Sequence, residues 1–294
     1  MNPLLPTTVA VRPLLALLCL LCFPYPPVLH ASDVAVPART PWQMALGFDY
    51  NEASENFTRL QAAFPADARI AIARAATLLV RQPRTADNIR TARSLLEAVA
   101  TRSATFAGAS VDETVLAAYL AARIDQDHLE PPREAMARAA YETILRDHPG
   151  HRLAGQAAVQ LSLLDAWSEP RLPAAGAIAR IAARLPGAAS HPEAARELHF
   201  ILARLEWEGR RNARAAVVHL QAGRAIGYES PFRNAEVDLM IGNLARGEGD
   251  ATTAITHYRA FLEGKRRDVR ASTVRRYLAE LETEAIRHEV AKIP

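Results

Sequence analysis

Residues 235–281 read AEVDLMIGNLARGEGDATTAITHYRAFLEGKRRDVRASTVRRYLAEL. Within this stretch Ala254 is followed four positions later by Tyr258, and Phe261 follows three positions after that. Offsets of four and three place side chains on one face of an α-helix. A second amphipathic segment, 237–245, precedes this helix. The stretch therefore predicts two consecutive helices that pack through apolar faces.

The same frame of one small and two large residues recurs along the chain. Its alanines stand at 53, 92, 137, 174, 216 and 254, at intervals of 39, 45, 37, 42 and 38 residues. Three copies add a proline, which stops a helix, twelve positions after the alanine, at Pro65, Pro149 and Pro186. Further amphipathic helices are predicted at 68–80, 114–124, 153–164, 198–207 and 237–245. Helix pairs with more apolar surface than each pair can bury must stack on their neighbours, so we predict an all-α solenoid.

The quoted stretch resembles a tetratricopeptide repeat. The matching residues are Leu239, Ile241 and Gly242 in the first helix, Gly249 and Asp250 at the turn, and Ala254, Ile255, Tyr258 and Phe261 in the second helix. The resemblance is strong over residues 195–285, moderate over 133–190 and faint before 110. Two features depart from the family: the intervals exceed its usual length of roughly 34 residues, and the first repeat keeps only fragments of a first helix near 42–46.

The resemblance implies a right-handed α-solenoid of stacked antiparallel helix pairs, a TPR-like superhelix with about six pairs over residues 42–290. In this family, small residues at the positions of Gly242 and Ala254 allow close helix crossing. The turn glycine, here Gly249, takes a backbone conformation that other residues resist. Gly209 stands at the equivalent turn after the helix at 198–207.

The N-terminus resembles a secretory signal. Arg12 precedes the apolar run LLALLCLLCF at 14–23, and a small residue, Ala31, follows. This run is too short to span a bilayer, which takes about 20 residues. We predict a signal peptide at 1–31 that is cleaved after Ala31, then a linker at 32–41, with export to the periplasm or beyond and outer-membrane association left open.

Both cysteines, Cys19 and Cys22, lie inside the apolar run. Their C-x-x-C spacing is therefore read neither as a redox pair nor as half of a zinc site. Lipidation of a cysteine here is the alternative, but leucines precede both, where the lipoprotein pattern has a small residue. Membrane association is accordingly not favoured.

The charge balance argues against nucleic acid as a partner. The chain has 35 Lys and Arg against 32 Asp and Glu, and the cations are mostly interspersed with the anions. A nucleic-acid-binding surface would concentrate its cations on one face. The one basic cluster, KRRDVRASTVRR at 265–276, is interpreted as a solvated helix end and face, with anionic lipid or an acidic partner as the alternative.

No catalytic, cofactor or metal motif emerges. Gly247 and Gly249 lack the third glycine and the preceding strand of a phosphate-binding loop. His148 and His151 are close in sequence, but no cysteine and no second imidazole at helical spacing accompanies them. Glu229 stands beside a serine, as in lytic transglycosylases with helical solenoids, yet no catalytic lobe accompanies it. We predict that the protein is not an enzyme and needs no cofactor or metal.

The remaining candidate is a surface that binds partner proteins. In the family, the first helix of each pair lines the concave side, which binds extended or helical segments. From the helical phase, the residues predicted to face this side are Arg196, His199, Glu206, Glu236, Asn243, Arg246, Arg270 and Tyr277. Asn243 and Arg246 alone do not reproduce the family's carboxylate clamp, because its lysines are absent.

The sequence thus predicts an exported, non-enzymatic scaffold of the bacterial cell envelope. Two alternatives remain. The run YETILRDHPGHRLAGQAA at 141–158 is similar to outer-membrane assembly lipoproteins with stacked repeats, which would give a membrane-anchored factor. An envelope hydrolase with an unrecognised site is the other alternative.

Overall fold

The structure is a computed structural model that describes residues 39–265 and 267–290, with the backbone alone described at 288–290. Every regular element in these ranges is helical and none is a strand, which confirms the all-α prediction. The predicted signal peptide, both cysteines and most of the predicted linker lie outside the described residues. The chain divides into two compact units, with the boundary between Leu153 and Ala154.

The first unit contains six α-helices. They are α1 Pro41–Leu46, α2 Tyr50–Ala63, α3 Ala68–Val80, α4 Ala86–Ala100, α5 Val111–Asp127 and α6 Glu134–Asp147. Side chains fix several of the starts: at α5, Ser110 accepts a hydrogen bond from the Glu113 backbone while the Glu113 side chain returns to Ser110. Each helix packs against the next one in sequence. This order is compatible with a solenoid of stacked pairs.

The second unit contains eight α-helices, the first of which begins two residues before the boundary. They are α7 Arg152–Trp167, α8 Ala174–Ala182, α9 Leu185–Ala188, α10 Pro192–Arg204, α11 Ala213–Ile226, α12 Pro231–Gly247, α13 Ala251–Gly264 and α14 Ala271–Val290. A π-turn, Leu205–Gly209, extends α10. From α10 onward, each helix again packs against the next.

The predicted repeat frame holds in five of its six copies. The alanines at 53, 92, 137, 216 and 254 are all completely buried. In the fourth copy the buried alanine is Ala177 and not Ala174, and Ile181 follows it four positions later. The corrected intervals are 39, 45, 40, 39 and 38 residues, which are more regular than those predicted. Pro186 then stands nine positions after the alanine, so its match to Pro65 and Pro149 is lost.

Two tyrosines in this frame make equivalent hydrogen bonds. Tyr141 and Tyr258 are completely buried in α6 and α13. Each hydroxyl donates to a side-chain amide fifteen positions earlier, to Gln126 at 2.8 Å and to Asn243 at 2.9 Å. Because a buried hydroxyl without a partner is costly, these bonds fix each first helix against its second helix.

The two glycines singled out in the sequence have different roles. A Cβ atom at Gly242 would lie 2.6 Å from the Tyr258 ring, so close crossing does require glycine there. Gly249 has a φ of 75°, as predicted for the turn. At the other turn, however, the positive φ of 55° belongs to Arg211. Gly209 instead allows close approach, since a Cβ atom on it would lie 2.8 Å from the Cβ atom of Ala174.

Candidate functional site

Direct side-chain contacts join the first helices of the second unit, α7, α10, α12 and α14. Three of these contacts pair a guanidinium group with an aromatic ring. The distances from guanidinium carbon to ring centroid are 4.8 Å for Arg204 and Trp167, 5.2 Å for Arg233 and Phe200, and 3.8 Å for Arg246 and Tyr277. Each pair bridges one first helix and the next, so the four helices are connected neighbours.

The exposed side of these helices is polar with scattered apolar groups. Residues spaced by three, four or seven positions share one face of a helix. The partly or fully exposed residues at this spacing are Gln156, Leu163 and Trp167 on α7, Glu193, Glu197 and Arg204 on α10, and Arg233, Glu236 and Met240 on α12. We call these nine residues, together with Arg246 and Tyr277, the first-helix face.

The three site residues predicted on α10 and its extension contact other parts of the unit. The Arg196 Nη1 donates to the carbonyl oxygen of Gly227 at 2.7 Å, in the turn after α11. The Nδ1 atom of His199 lies 3.2 Å from that of His219 on α11. Glu206 is 5% exposed and bonded to Arg210. These side chains are therefore engaged within the unit; Glu206 is buried, and Arg196 and His199 are only partly exposed.

Burial determines the titration of the two histidines. It lowers the pKa of His199, and the positive charge of a protonated His219 lowers it further. Burial also lowers the pKa of His219, although the Glu206 carboxylate acts in the opposite direction. At neutral pH the two rings are neutral, so one can donate a hydrogen bond to the other.

Glu236 and Arg270 form one ionic cluster between α12 and the turn before α14. The Arg270 Nη1 donates to Glu236 at 2.8 Å, and its Nε donates to Asp268 at 2.9 Å. Lys265 also reaches Glu236, at 3.4 Å. The hydrogen bond from Arg270 lowers the pKa of Glu236 and, more strongly, that of Asp268. Much of the basic run that begins at Lys265 is thus neutralised within the fold.

The remaining predicted residues, Asn243, Arg246 and Tyr277, come together. Asn243 accepts the hydroxyl of Tyr258, which in turn is hydrogen-bonded by Arg246. Arg246 is exposed, and its guanidinium group lies over the Tyr277 ring. Burial raises the pKa of Tyr258, so its hydroxyl stays protonated and available as a donor.

Several residues of the first-helix face were not predicted, among them Trp167, Arg204 and Arg233. The signal that identifies them is the pairing of an arginine on one first helix with an aromatic residue on a neighbouring first helix. Sequence phase alone pointed to Arg196 and His199, which lie on the flank of α10 near α11.

The described residues contain no cluster of three side chains suited to a metal ion. In the histidine pair singled out in the sequence, both ring nitrogens of His151 are engaged. Its Nε2 lies 3.0 Å from Asp112, and its Nδ1 accepts the backbone N–H of Leu153. Within the described ranges, no helix is long and apolar enough to cross a membrane.

No family model matches this chain, and no curated protein matches it. The resemblance of residues 195–285 to tetratricopeptide repeats therefore stays a prediction.

Proposed function

We propose that this chain is an exported, non-enzymatic protein of the bacterial cell envelope that binds a segment of a partner protein. Its fold would be a right-handed, TPR-like solenoid that follows a signal peptide, and the first-helix face would be the binding surface. Binding would involve no chemical change in the partner. The basis is the resemblance of the sequence together with the arrangement of side chains on the four first helices.

One observation carries the proposal: the first-helix face is held in place by contacts between its own side chains. The Arg–aromatic pairs between successive helices fix long side chains that would otherwise lose rotamer freedom on binding. A surface whose groups are already ordered binds a partner at a smaller entropic cost. Arg and aromatic residues are also the types that are enriched in protein interfaces.

The apolar residues of the chain favour the same proposal. The large side chains of the repeat frame are buried, so they serve the core and not a surface. The first-helix face offers single apolar groups, such as Leu163 and Met240, between charged ones. Such a mixture suits a segment with both apolar and polar side chains better than it suits a lipid bilayer.

Site-directed photocross-linking tests this proposal. A benzophenone amino acid replaces Met240 on the first-helix face in one variant, and Val218 in the other. Val218 is a matched control, because it is 60% exposed on α11, a second helix. Both variants are exposed to short peptides selected from a displayed random library against the full chain.

We expect the selected peptides to cross-link to position 240 and not to position 218. Equal or preferential labelling of position 218 would refute the assignment to the first-helix face. A selection that enriches no peptide at all would refute the proposed function itself.

A further inference from the structure

Two tyrosines of the second unit each have two guanidinium groups near one ring. The first is Tyr228, in the turn between α11 and α12. The guanidinium carbons of Arg196 and Arg233 lie 4.6 Å and 5.6 Å from its ring centroid. Arg233 also lies 5.2 Å from the Phe200 ring. We call these residues the Tyr228 site.

The second tyrosine, Tyr277 on α14, repeats this arrangement. The guanidinium carbons of Arg246 and Arg276 lie 3.8 Å and 4.7 Å from its ring centroid. Arg246 is additionally hydrogen-bonded to the Tyr258 hydroxyl. We call these residues the Tyr277 site. In both sites, the negative face of an aromatic ring attracts cations.

Each site has an arginine without a carboxylate partner. No ion pair joins Arg233 or Arg246 to an acidic residue in the part of the chain that the structure describes. The second arginine of each site is engaged within the fold. Arg196 donates to the Gly227 carbonyl oxygen at 2.7 Å and lies 3.7 Å from Glu197, and Arg276 donates to Glu280 at 2.9 Å. Arg204, which also stacks on an aromatic ring, likewise donates two hydrogen bonds to Glu208, at 3.3 Å and 3.1 Å.

Arg233 and Arg246 therefore carry positive charges that no carboxylate among the described residues balances. The two guanidinium groups of one site are within about 10 Å of each other, about one Debye length at moderate salt, so the positive charge of the site is only partly screened. A carboxylate can accept hydrogen bonds from Arg233 or Arg246, and such charge-assisted bonds are stronger than neutral ones. The arrangement therefore suits one carboxylate at each site.

We propose that the Tyr228 and Tyr277 sites bind two acidic side chains of one extended segment of a partner protein. This inference rests on the proposed function and names the chemistry of the partner. Arg233 and Arg246 stand thirteen residues apart on α12, or about 20 Å at 1.5 Å per residue. An extended segment covers this distance in about six residues. The partner segment therefore carries two Asp or Glu residues about six positions apart.

The charges around the sites favour an acidic peptide over a nucleic acid. The rings of Tyr228 and Tyr277 already contact guanidinium groups, which compete with bases for stacking. Glu197 lies nearby on the first-helix face and would repel a regular row of phosphates. A peptide places its carboxylates only at the two sites and offers backbone N–H groups to this glutamate.

Peptides selected from the displayed library test this inference, by their composition and by their affinity. We expect two acidic positions about six residues apart to be enriched. In fluorescence anisotropy, R233Q and R246Q should each weaken binding of a selected peptide about tenfold, the effect of one charge-assisted hydrogen bond. Replacing the two acidic residues of the peptide with Gln should weaken binding to the wild type by at least as much.

Two variants serve as matched controls outside the first-helix face. Arg90 on α4 of the first unit pairs with Asp87, and Arg259 on the second helix α13 pairs with Glu282. R90Q and R259Q should change the affinity less than twofold. Thermal melting of all four variants checks that they fold. Amidation of the peptide C-terminus should leave binding unchanged, because the sites bind side-chain carboxylates.

Three outcomes would overturn the inference while leaving the proposed function intact. The selected peptides could bind at position 240 and show no acidic enrichment. Their affinity could be insensitive to both R233Q and R246Q. A single-stranded oligothymidylate could displace them with higher affinity than an unlabelled copy of the peptide. A library that yields no binder, in contrast, overturns the proposed function and this inference together.

Discussion

Each unit brings together two tyrosines, a side-chain amide and an arginine. The arginine stands three positions before the amide in the first unit and three positions after it in the second, and the two arginines differ in their partners. In the first unit, Tyr119 and Tyr141 have ring centroids 5.8 Å apart, and Tyr141 donates to Gln126. Burial acts to lower the pKa of Arg123, yet Tyr119, Asp127 and Tyr141 raise it. The Arg123 Nε donates to Asp127 at 2.8 Å.

In the second unit the ring centroids of Tyr258 and Tyr277 are 6.2 Å apart, and Tyr258 donates to Asn243. Arg246 lies against both tyrosines, but among the described residues no carboxylate pairs with it. The first unit thus completes the arrangement with its own acidic residue, whereas the second presents the arginine to solvent. The buried tyrosine and its amide therefore have the same structural role in both units, and the candidate site is the arginine with which no described carboxylate pairs.

The largest effect expected is on the free energy of unfolding, at the buried tyrosine that pairs with a side-chain amide in each unit. Tyr141→Ala and Tyr258→Ala should each lower the free energy of unfolding by about 3–5 kcal/mol, as for other buried aromatic residues. Tyr→Phe at either position should cost about 1 kcal/mol, the value of one hydrogen bond. Urea denaturation measures both. A loss of stability at one tyrosine and none at the other would contradict their equivalent structural roles.

A second prediction concerns a difference between the units. Sixteen positions before Tyr258 stands Gly242, whereas Asp125 stands sixteen positions before Tyr141. Gly242→Ala should destabilise by about 1–3 kcal/mol, because the added carbon overlaps the Tyr258 ring. The control is Gly176→Ala on α8, where the space is open and the helix should gain up to about 1 kcal/mol. Equal melting temperatures for the two variants would contradict the close crossing.

A third prediction removes the carboxylate partner of the arginine in the first unit and the arginine itself in the second. Asp127→Asn deprives Arg123 of its carboxylate and should destabilise by about 1–3 kcal/mol, because Arg123 is only 12% exposed. Arg246→Gln breaks no ion pair among the described residues and loses only the stacking on Tyr277 and the hydrogen bond to Tyr258, so it should cost about 1 kcal/mol or less. Denaturation curves of both variants test this. If Arg246→Gln were the more destabilising of the two, the claim that only Arg123 depends on a carboxylate partner within the fold would be wrong.

The smallest effect expected is a dependence on pH. Burial lowers the pKa values of His199 and His219 below those of the unfolded chain. As the pH falls below about 6.5, the unfolded chain takes up protons that the folded pair resists, so stability is full above this pH and decreases below it. The variant H199Q/H219Q should lose less stability than the wild type between about pH 7.5 and 5.5. If the urea midpoint changed by the same amount between these two pH values in the variant and in the wild type, the role of this histidine pair would be refuted.

Much of the fold could be predicted from the sequence because burial leaves a periodic pattern. Five of the six frame alanines are in the predicted register, and α3 has the predicted bounds, 68–80. The fourth copy failed because Ala174 and Ala177 are both small, and an alanine-rich helix does not distinguish a register shifted by three. The offset of Pro186 then favoured the register with Ala174 at the frame position, which is wrong.

The candidate site was predictable only in part. Arg246 and Tyr277 do meet, as do Glu236 and Arg270. The phase of α10 identifies its buried stripe, but it does not say which flank α11 covers, and α11 lies near Arg196 and His199. Whether a described carboxylate pairs with Arg233 depends on contacts between helices far apart in sequence, which no local pattern contains.

The central claim is that Arg233 and Arg246, with which no described carboxylate pairs, bind acidic residues of a partner. Isothermal titration calorimetry of the tightest library peptide against the wild type and R233Q/R246Q tests it most directly. Independent sites give additive free energies, so we expect the double variant to bind about a hundredfold more weakly. R90Q/R259Q, which removes two arginines outside the first-helix face, should bind as the wild type does. A double variant that binds within twofold of the wild type would contradict the claim.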